Sequence, residues 1–218
     1  LYRGFFSGSR SSTAIMLEQL SSLVAILRGI EPREAVAVGR LLVGQGFATL
    51  EVPLNSPEPL ESIRLLADAL GDRALVGAGT VLDESAALAV AAAGGRLVVM
   101  PHGDTAVIRA ARAAGCTCVP GVATVTEAFA ALAAGANALK LFPAEQLGPP
   151  VVKAWRAVLP RECRLYPVGG ITPEAMEPYV RAGAHGFGIG SALYKPGKSL
   201  ADIERDAAAF VAAWDRAR

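Results

Sequence analysis

The 218-residue chain predicts an α/β protein, a single (β/α)₈ barrel of the TIM class over residues 17–218, on three observations. Eight short apolar runs recur with their starts roughly 20 to 27 residues apart, the length of one strand, one helix and two short turns. Each run ends in Gly, Pro or a polar residue and passes into an alanine- and leucine-rich stretch with helical spacing. No linker or shift of composition divides the eight units, so they are expected to close on one another rather than split into two domains. An open doubly wound sheet is the alternative. It lacks its usual mark, because no strand is followed by G-x-G-x-x-G and an acidic residue about 20 positions later.

Taken in order, the predicted strands are Leu23–Leu27, Ala48–Pro53, Leu75–Gly79, Leu97–Pro101, Thr117–Pro120, Ala138–Pro143, Leu165–Val168 and Gly186–Gly190. Helices between them have start signals. Pro32, Pro57 and Pro173 stand where a first helical turn tolerates a missing N–H, and Thr126 with Glu127 opens another helix. Gly44, Gly46, Gly71, Gly94, Gly115, Gly135 and Gly183 fall where those helices should stop. Residues 1–16 fit none of this; LYRGFFSGSRSST lacks the apolar centre of a secretory signal and reads as a tail or expression remnant.

Composition narrows the function. A net charge of +1 with 52% apolar residues describes a soluble globular protein and argues against a nucleic-acid binder, which needs a basic stripe. The longest apolar stretch, Ala86 to Met100, is broken by Gly94, Gly95 and Arg96, so no bilayer span is expected. Three cysteines and two histidines offer no credible metal-ligand cluster; buried free thiols in a reducing cytoplasm are the expectation.

In a barrel, chemistry sits at the C-terminal ends of the strands and in the loops after them. Those positions hold Arg28, Glu51 with Asn55, Thr80, His102, Lys140 with Phe142, Gly169–Gly170 and Gly190–Ser191. Lys140 stands out because the chain has four lysines against seventeen arginines, and this one lies between two leucines. Arginine stays protonated, whereas a desolvated lysine can lose its proton and attack a carbonyl. If Lys140 points into the barrel, alternation takes Ala138 and Phe142 with it, and the same alternation puts Glu51 inward with Thr49 and Pro53. An amine and a carboxyl then share one barrel mouth, either as a buried ion pair or as a nucleophile beside a proton-transfer group. A free lysine titrates near about 10.4, so the second reading needs an apolar wall, such as Phe142, to lower it. It also needs Glu51 about a water's width away rather than in tight contact. Gly169–Gly170 and Gly190–Ser191 end the last two strands, where barrels often hold a phosphate on backbone N–H groups. Arg28 is either a carboxylate clamp or a solvated arginine.

The segments AILRGI (25–30), LEVPLNSPE (50–58), VGAGTVL (76–82), ALKLFPAE (138–145), PVGGI (167–171) and GIGSALY (188–194) together resemble the aldolases for 2-keto-3-deoxy-6-phospho sugar acids. That resemblance runs from about residue 20 to the C-terminus in uniform order. It implies a metal-free, cofactor-free class I aldolase on a (β/α)₈ barrel, cytoplasmic and homotrimeric. Lys140 then corresponds to the Schiff-base lysine and Glu51 to the general acid/base. Arg28, Thr80, Asn55 and Val168 fall at substrate-binding positions, Phe142 walls the pyruvyl group, and Gly169, Gly170, Gly190 and Ser191 lie on the phosphate side. The branch acting on the 6-phosphogluconate acid typically has arginine where Asn55 stands and threonine where Val168 stands. The 6-phosphogalactonate branch resembles this chain at both positions and in LRGI, which implies cleavage of the galactonate epimer to pyruvate and D-glyceraldehyde 3-phosphate. Two other readings of the residues are a phosphosugar epimerase or isomerase, with Lys140 and Glu51 only moving protons, and a non-catalytic sugar-acid phosphate sensor.

Overall fold

A computed structural model describes residues 20–218, so the tail predicted for residues 1–16 lies outside the described residues. The chain alternates β1 (Leu23–Ile26), α1 (Pro32–Gly44), β2 (Thr49–Pro53), α2 (Pro59–Leu70), β3 (Leu75–Gly79), α3 (Glu84–Ala92), β4 (Leu97–Val99) and α4 (Thr105–Ala113). It continues through β5 (Thr117–Val119), β6 (Gly121–Val122), α5 (Val125–Ala133), β7 (Leu139–Leu141), α6 (Pro149–Arg156), β8 (Leu165–Pro167), α7 (Met176–Ala182), β9 (Phe187–Ile189) and α8 (Leu200–Ala217). Every predicted strand has its counterpart.

The helix starts explain themselves locally. Pro32 and Pro59 occupy first-turn positions, where no intrahelical N–H is lost. Pro57, marked in the sequence, instead lies in the loop ahead of α2. Asp83 caps α3 by accepting from Ala86 N at 2.8 Å, and Asp104 caps α4 by accepting from Ala106 N at 2.7 Å. For α5 the cap is Thr124 rather than the predicted Thr126: its Oγ1 accepts from Glu127 N, and Glu127 Oε2 accepts from Thr124 N in return. Pro173 opens a short 3₁₀ turn, Pro173–Ala175, that leads into α7.

All strand pairs are parallel, in the order β5-β4-β3-β2-β1-β9 and, separately, β6-β7-β8. The fold is thus a curled parallel α/β sheet in two parts, where the sequence predicted one continuous eight-stranded ring. Pro120 causes one interruption: it has no N–H, and the strand changes partners there, β5 pairing with β4 and β6 with β7. Gly121 is required at this crossing, since a Cβ would lie 2.5 Å from Pro101 O. The other interruption lies between β8 and β9, which share a single bridge, Val168 to Gly188.

Strand alternation separates two apolar layers. Outward residues such as Leu50, Val52, Val98, Leu139, Leu141 and Leu165 join the helix faces in the main core. Inward residues Val24, Leu75, Leu97, Val99, Val119, Ala138 and Tyr166 form a second cluster. Helix α8 seals the outside: Ile203, Ala207, Phe210 and Ala213 recur at helical spacing and are buried, and Trp214 meets Phe187 edge-on at 6.2 Å. Among the described residues no helix is long and apolar enough to cross a membrane. Cys116, Cys118 and Cys163 are free and buried, as predicted.

Candidate active site

Lys140 lies in the middle of β7 and Glu51 in the middle of β2, both turned inward as the alternation requires. They are 7% and 2% exposed, and both line an apolar cavity with Ile26, Val99, Tyr166 and Val168. Burial pushes Lys140 below the ordinary lysine range, outweighing the opposing attraction of Glu51, and the Arg28 charge adds to the fall. Burial likewise pushes Glu51 above the ordinary carboxyl range, against the pull of Lys140 and Arg28. Both groups are therefore driven toward their neutral forms. Among the described residues they form no direct ion pair, and Glu51 Oε2 is buried without a hydrogen-bond partner. Lys140 Nζ stands 4.7 Å from the centre of the Phe142 ring.

Three predicted binding residues meet at one corner. Leu27 N donates to Glu51 O and Gly29 N to Ser56 Oγ, tying the turn after β1 to β2 and its loop. Arg28 is thereby aimed so that Nη1 donates to Asn55 Oδ1 at 2.6 Å and Nη2 reaches Thr80 Oγ1 at 3.5 Å. Thr80 has a φ of +56°, a left-handed conformation costing a non-glycine residue about 1–3 kcal/mol, which tertiary structure must hold in place.

Gly169, Gly170, Gly190 and Ser191 line a cleft of about 380 Å³, joined by Arg28, Ala192, Glu145 and Lys195. Ile26, Val168 and Gly188 line both this cleft and the inner cavity, so the two spaces share a wall. Lys140, Glu51 and Val168 line the inner cavity, Arg28, Val168, Gly169, Gly170, Gly190 and Ser191 line the cleft, and Asn55, Thr80 and Phe142 meet them through Arg28 and Lys140. Glu145 was not anticipated. It packs so closely on the glycine turn that a Cβ on Gly169 would lie 2.3 Å from its Oε2. Lys195 was also missed, although a lysine in a lysine-poor chain, in the loop after the last strand, was a readable signal. His102 falls outside the cluster of lining residues, half-buried after β4 with its Nδ1 unpartnered.

A buried lysine pushed toward its neutral form, sharing a cavity with a buried carboxyl beside a glycine-lined cleft, is equipped for imine chemistry on a carbonyl compound. The sequence profile described as KDPG and KHG aldolase matches residues 15–206. The chain belongs to this aldolase family. It is 48% identical over 195 residues to the 2-dehydro-3-deoxy-6-phosphogalactonate aldolase of Escherichia coli K12, spanning 89% of this chain and 95% of that one. The solved native KDPGal structure superposes with a TM-score of 0.88 at 48% identity, again over 89% and 95% of the two chains. A KDPG aldolase from Legionella pneumophila, solved with pyruvate captured at low pH as a covalent carbinolamine, gives a TM-score of 0.77 at 27% identity, covering 93% of this chain and 96% of that one. The candidate groups of this chain lie on parallel strands. Among its described residues no group of three His, Cys, Asp or Glu side chains could hold a metal ion.

Proposed function

We propose that this protein is a class I aldolase that cleaves 2-dehydro-3-deoxy-6-phospho-D-galactonate to pyruvate and D-glyceraldehyde 3-phosphate, without a cofactor. The observation that carries the reading is Lys140, buried, held toward its neutral form and facing the cavity shared with Glu51. Neutral Lys140 attacks the C2 ketone, and loss of water leaves a cationic imine. When the C3–C4 bond breaks, its electrons flow into that imine to give a neutral enamine. Glu51, acting across one water, moves protons during carbinolamine formation and takes the C4 hydroxyl proton as the bond breaks. Glyceraldehyde 3-phosphate leaves, C3 is protonated, and hydrolysis of the imine releases pyruvate and restores the amine.

Arg28 holds the substrate carboxylate in this scheme, while Gly169, Gly170, Gly190 and Ser191 hold the phosphate, whose binding energy positions the reacting carbons. Asn55 and Val168 support the galactonate epimer over the gluconate one. Asn55 accepts from Arg28 at 2.6 Å, a role an arginine at that position could not fill. Val168 presents no hydroxyl to the wall between cavity and cleft, where a threonine would offer one. The 48% identity to a galactonate-type aldolase, against 34% to a gluconate-type one, supports the same assignment.

The structural setting belongs to the same reading: one catalytic domain over residues 17–218, its eight βα units closing as a (β/α)₈ barrel. The β5–β6 crossing at Pro120 and the Val168–Gly188 bridge support closure, since they join the two sheets at both ends. A homotrimer in the cytoplasm completes the proposal, and three buried free thiols suit a reducing compartment. Rates measured side by side on the two C4 epimers test the substrate. The galactonate acid should be cleaved faster; a strong preference for the gluconate acid would overturn the epimer assignment and leave the imine chemistry standing.

A further inference from the structure

We propose that Lys198 is a positioning residue that holds the turn after β9 with its N–H groups toward the substrate phosphate; this rests on the phosphate cleft assigned above. Leu193 N and Tyr194 N both donate to Gly190 O, at 2.9 and 3.0 Å, closing residues 190–194 into one tight turn. Gly190, Ser191 and Ala192, at the start of that turn, line the cleft opposite Gly169 and Gly170. On the carbonyl side of the same turn, Lys198 Nζ donates to Ala192 O at 3.0 Å and to Leu193 O at 2.8 Å. The third proton of the ammonium goes to Asp206 Oδ2, 2.5 Å away on α8, and Arg205 Nε holds the other oxygen of that carboxylate at 3.1 Å.

A tetrahedral ammonium serves two carbonyls and a carboxylate from one nitrogen, which the planar fork of arginine cannot do. That accounts for a lysine here in a chain that otherwise uses arginine. The pair is only 17% and 25% exposed, so solvent screens it less than the surface ion pairs of α8. Its effect is to neutralise the carbonyl end of the turn and fix the turn to the C-terminal helix, leaving the N–H end oriented before an anion arrives.

Lys198→Met should raise both the dissociation constant for inorganic phosphate, measured by calorimetry, and KM for the phosphorylated substrate roughly tenfold, the usual effect of losing a charged hydrogen-bond partner. Turnover at saturation and kcat/KM for an unphosphorylated analogue should stay within about twofold. Asp206→Asn separates positioning from simple charge. It frees the tether while keeping the lysine, so positioning predicts weaker phosphate binding, whereas long-range attraction predicts tighter binding because a negative charge has gone. Tighter or unchanged binding in Asp206→Asn overturns the inference, and this arm decides the matter even if Lys198→Met does not fold. A wild-type protein that binds no inorganic phosphate overturns the phosphate cleft and this inference with it; binding that Lys198→Met leaves intact overturns the inference alone.

Discussion

A buried carboxyl oxygen without a partner costs folding energy unless the group is protonated or hydrated, and Glu51 Oε2 is such an atom. Because burial raises the Glu51 pKa above its unfolded value of 4.5, the folded state holds the proton more tightly than the unfolded one. Its contribution to stability is therefore complete below pH 4.5 and is lost as pH rises through the raised folded pKa. Glu51→Gln, which cannot ionise, should melt higher than wild type at neutral pH, with the gap narrowing as pH falls through the raised folded pKa and closed below about 4.5. The same variant should lose about 10² to 10⁴ in turnover, the range for a positioned acid/base. Thermal melts and rates across pH check both halves; turnover within a few-fold of wild type would make Glu51 a structural residue. Lys140 has the opposite shift, so kcat/KM should climb with pH through a pKa below the lysine value of 10.5 as the neutral amine appears. At this scale the sequence was informative where alternation applies: two inward residues on two strands were enough to pair Lys140 with Glu51. It was silent on Glu145, whose place depends on the path of an irregular loop and on no period.

Strand β3 shows how an element shapes the site through what it omits. A Cβ on Gly79 would lie 2.7 Å from Glu51 Cδ and Oε2, whereas one on Gly77 would lie 1.9 Å from Leu97 O in the neighbouring strand. Gly79→Ala should therefore displace the carboxyl and cut turnover at least about tenfold while the protein still folds. Gly77→Ala must instead part β3 from β4, and overpacking of this kind costs about 1–3 kcal/mol or more. Thermal melts and turnover of the two variants test the contrast, which fails if Gly79→Ala keeps full activity. The strands and most helix ends were readable from apolar runs, prolines and glycines. Pro120 was read as the end of one strand; its role as the point where a strand trades partners depends on pairing across the sheet, which local pattern does not contain.

For the whole molecule, the electron sink of the proposed reaction is an amine of the chain itself. Cleavage should accordingly be unaffected by EDTA, measured on protein dialysed against chelator; inhibition reversed by a divalent ion would point to a metal-stabilised enolate instead. That assignment depends on the fold bringing β2 and β7 to face each other across the sheet, which the repeat of eight βα units already implied. How far the strands pair around the ring was less legible, because the β8–β9 junction comes down to one bridge at Val168 and Gly188.

Imine formation at Lys140 is tested by reduction with borohydride in the presence of pyruvate, followed by peptide mass spectrometry. A stable pyruvyl-derived mass increment is expected on Lys140, present in Glu51→Gln at reduced yield and absent in Lys140→Arg, which keeps the charge but cannot form the imine. An increment on Lys153, Lys195 or Lys198 in place of Lys140, or cleavage that persists in Lys140→Arg, would contradict it.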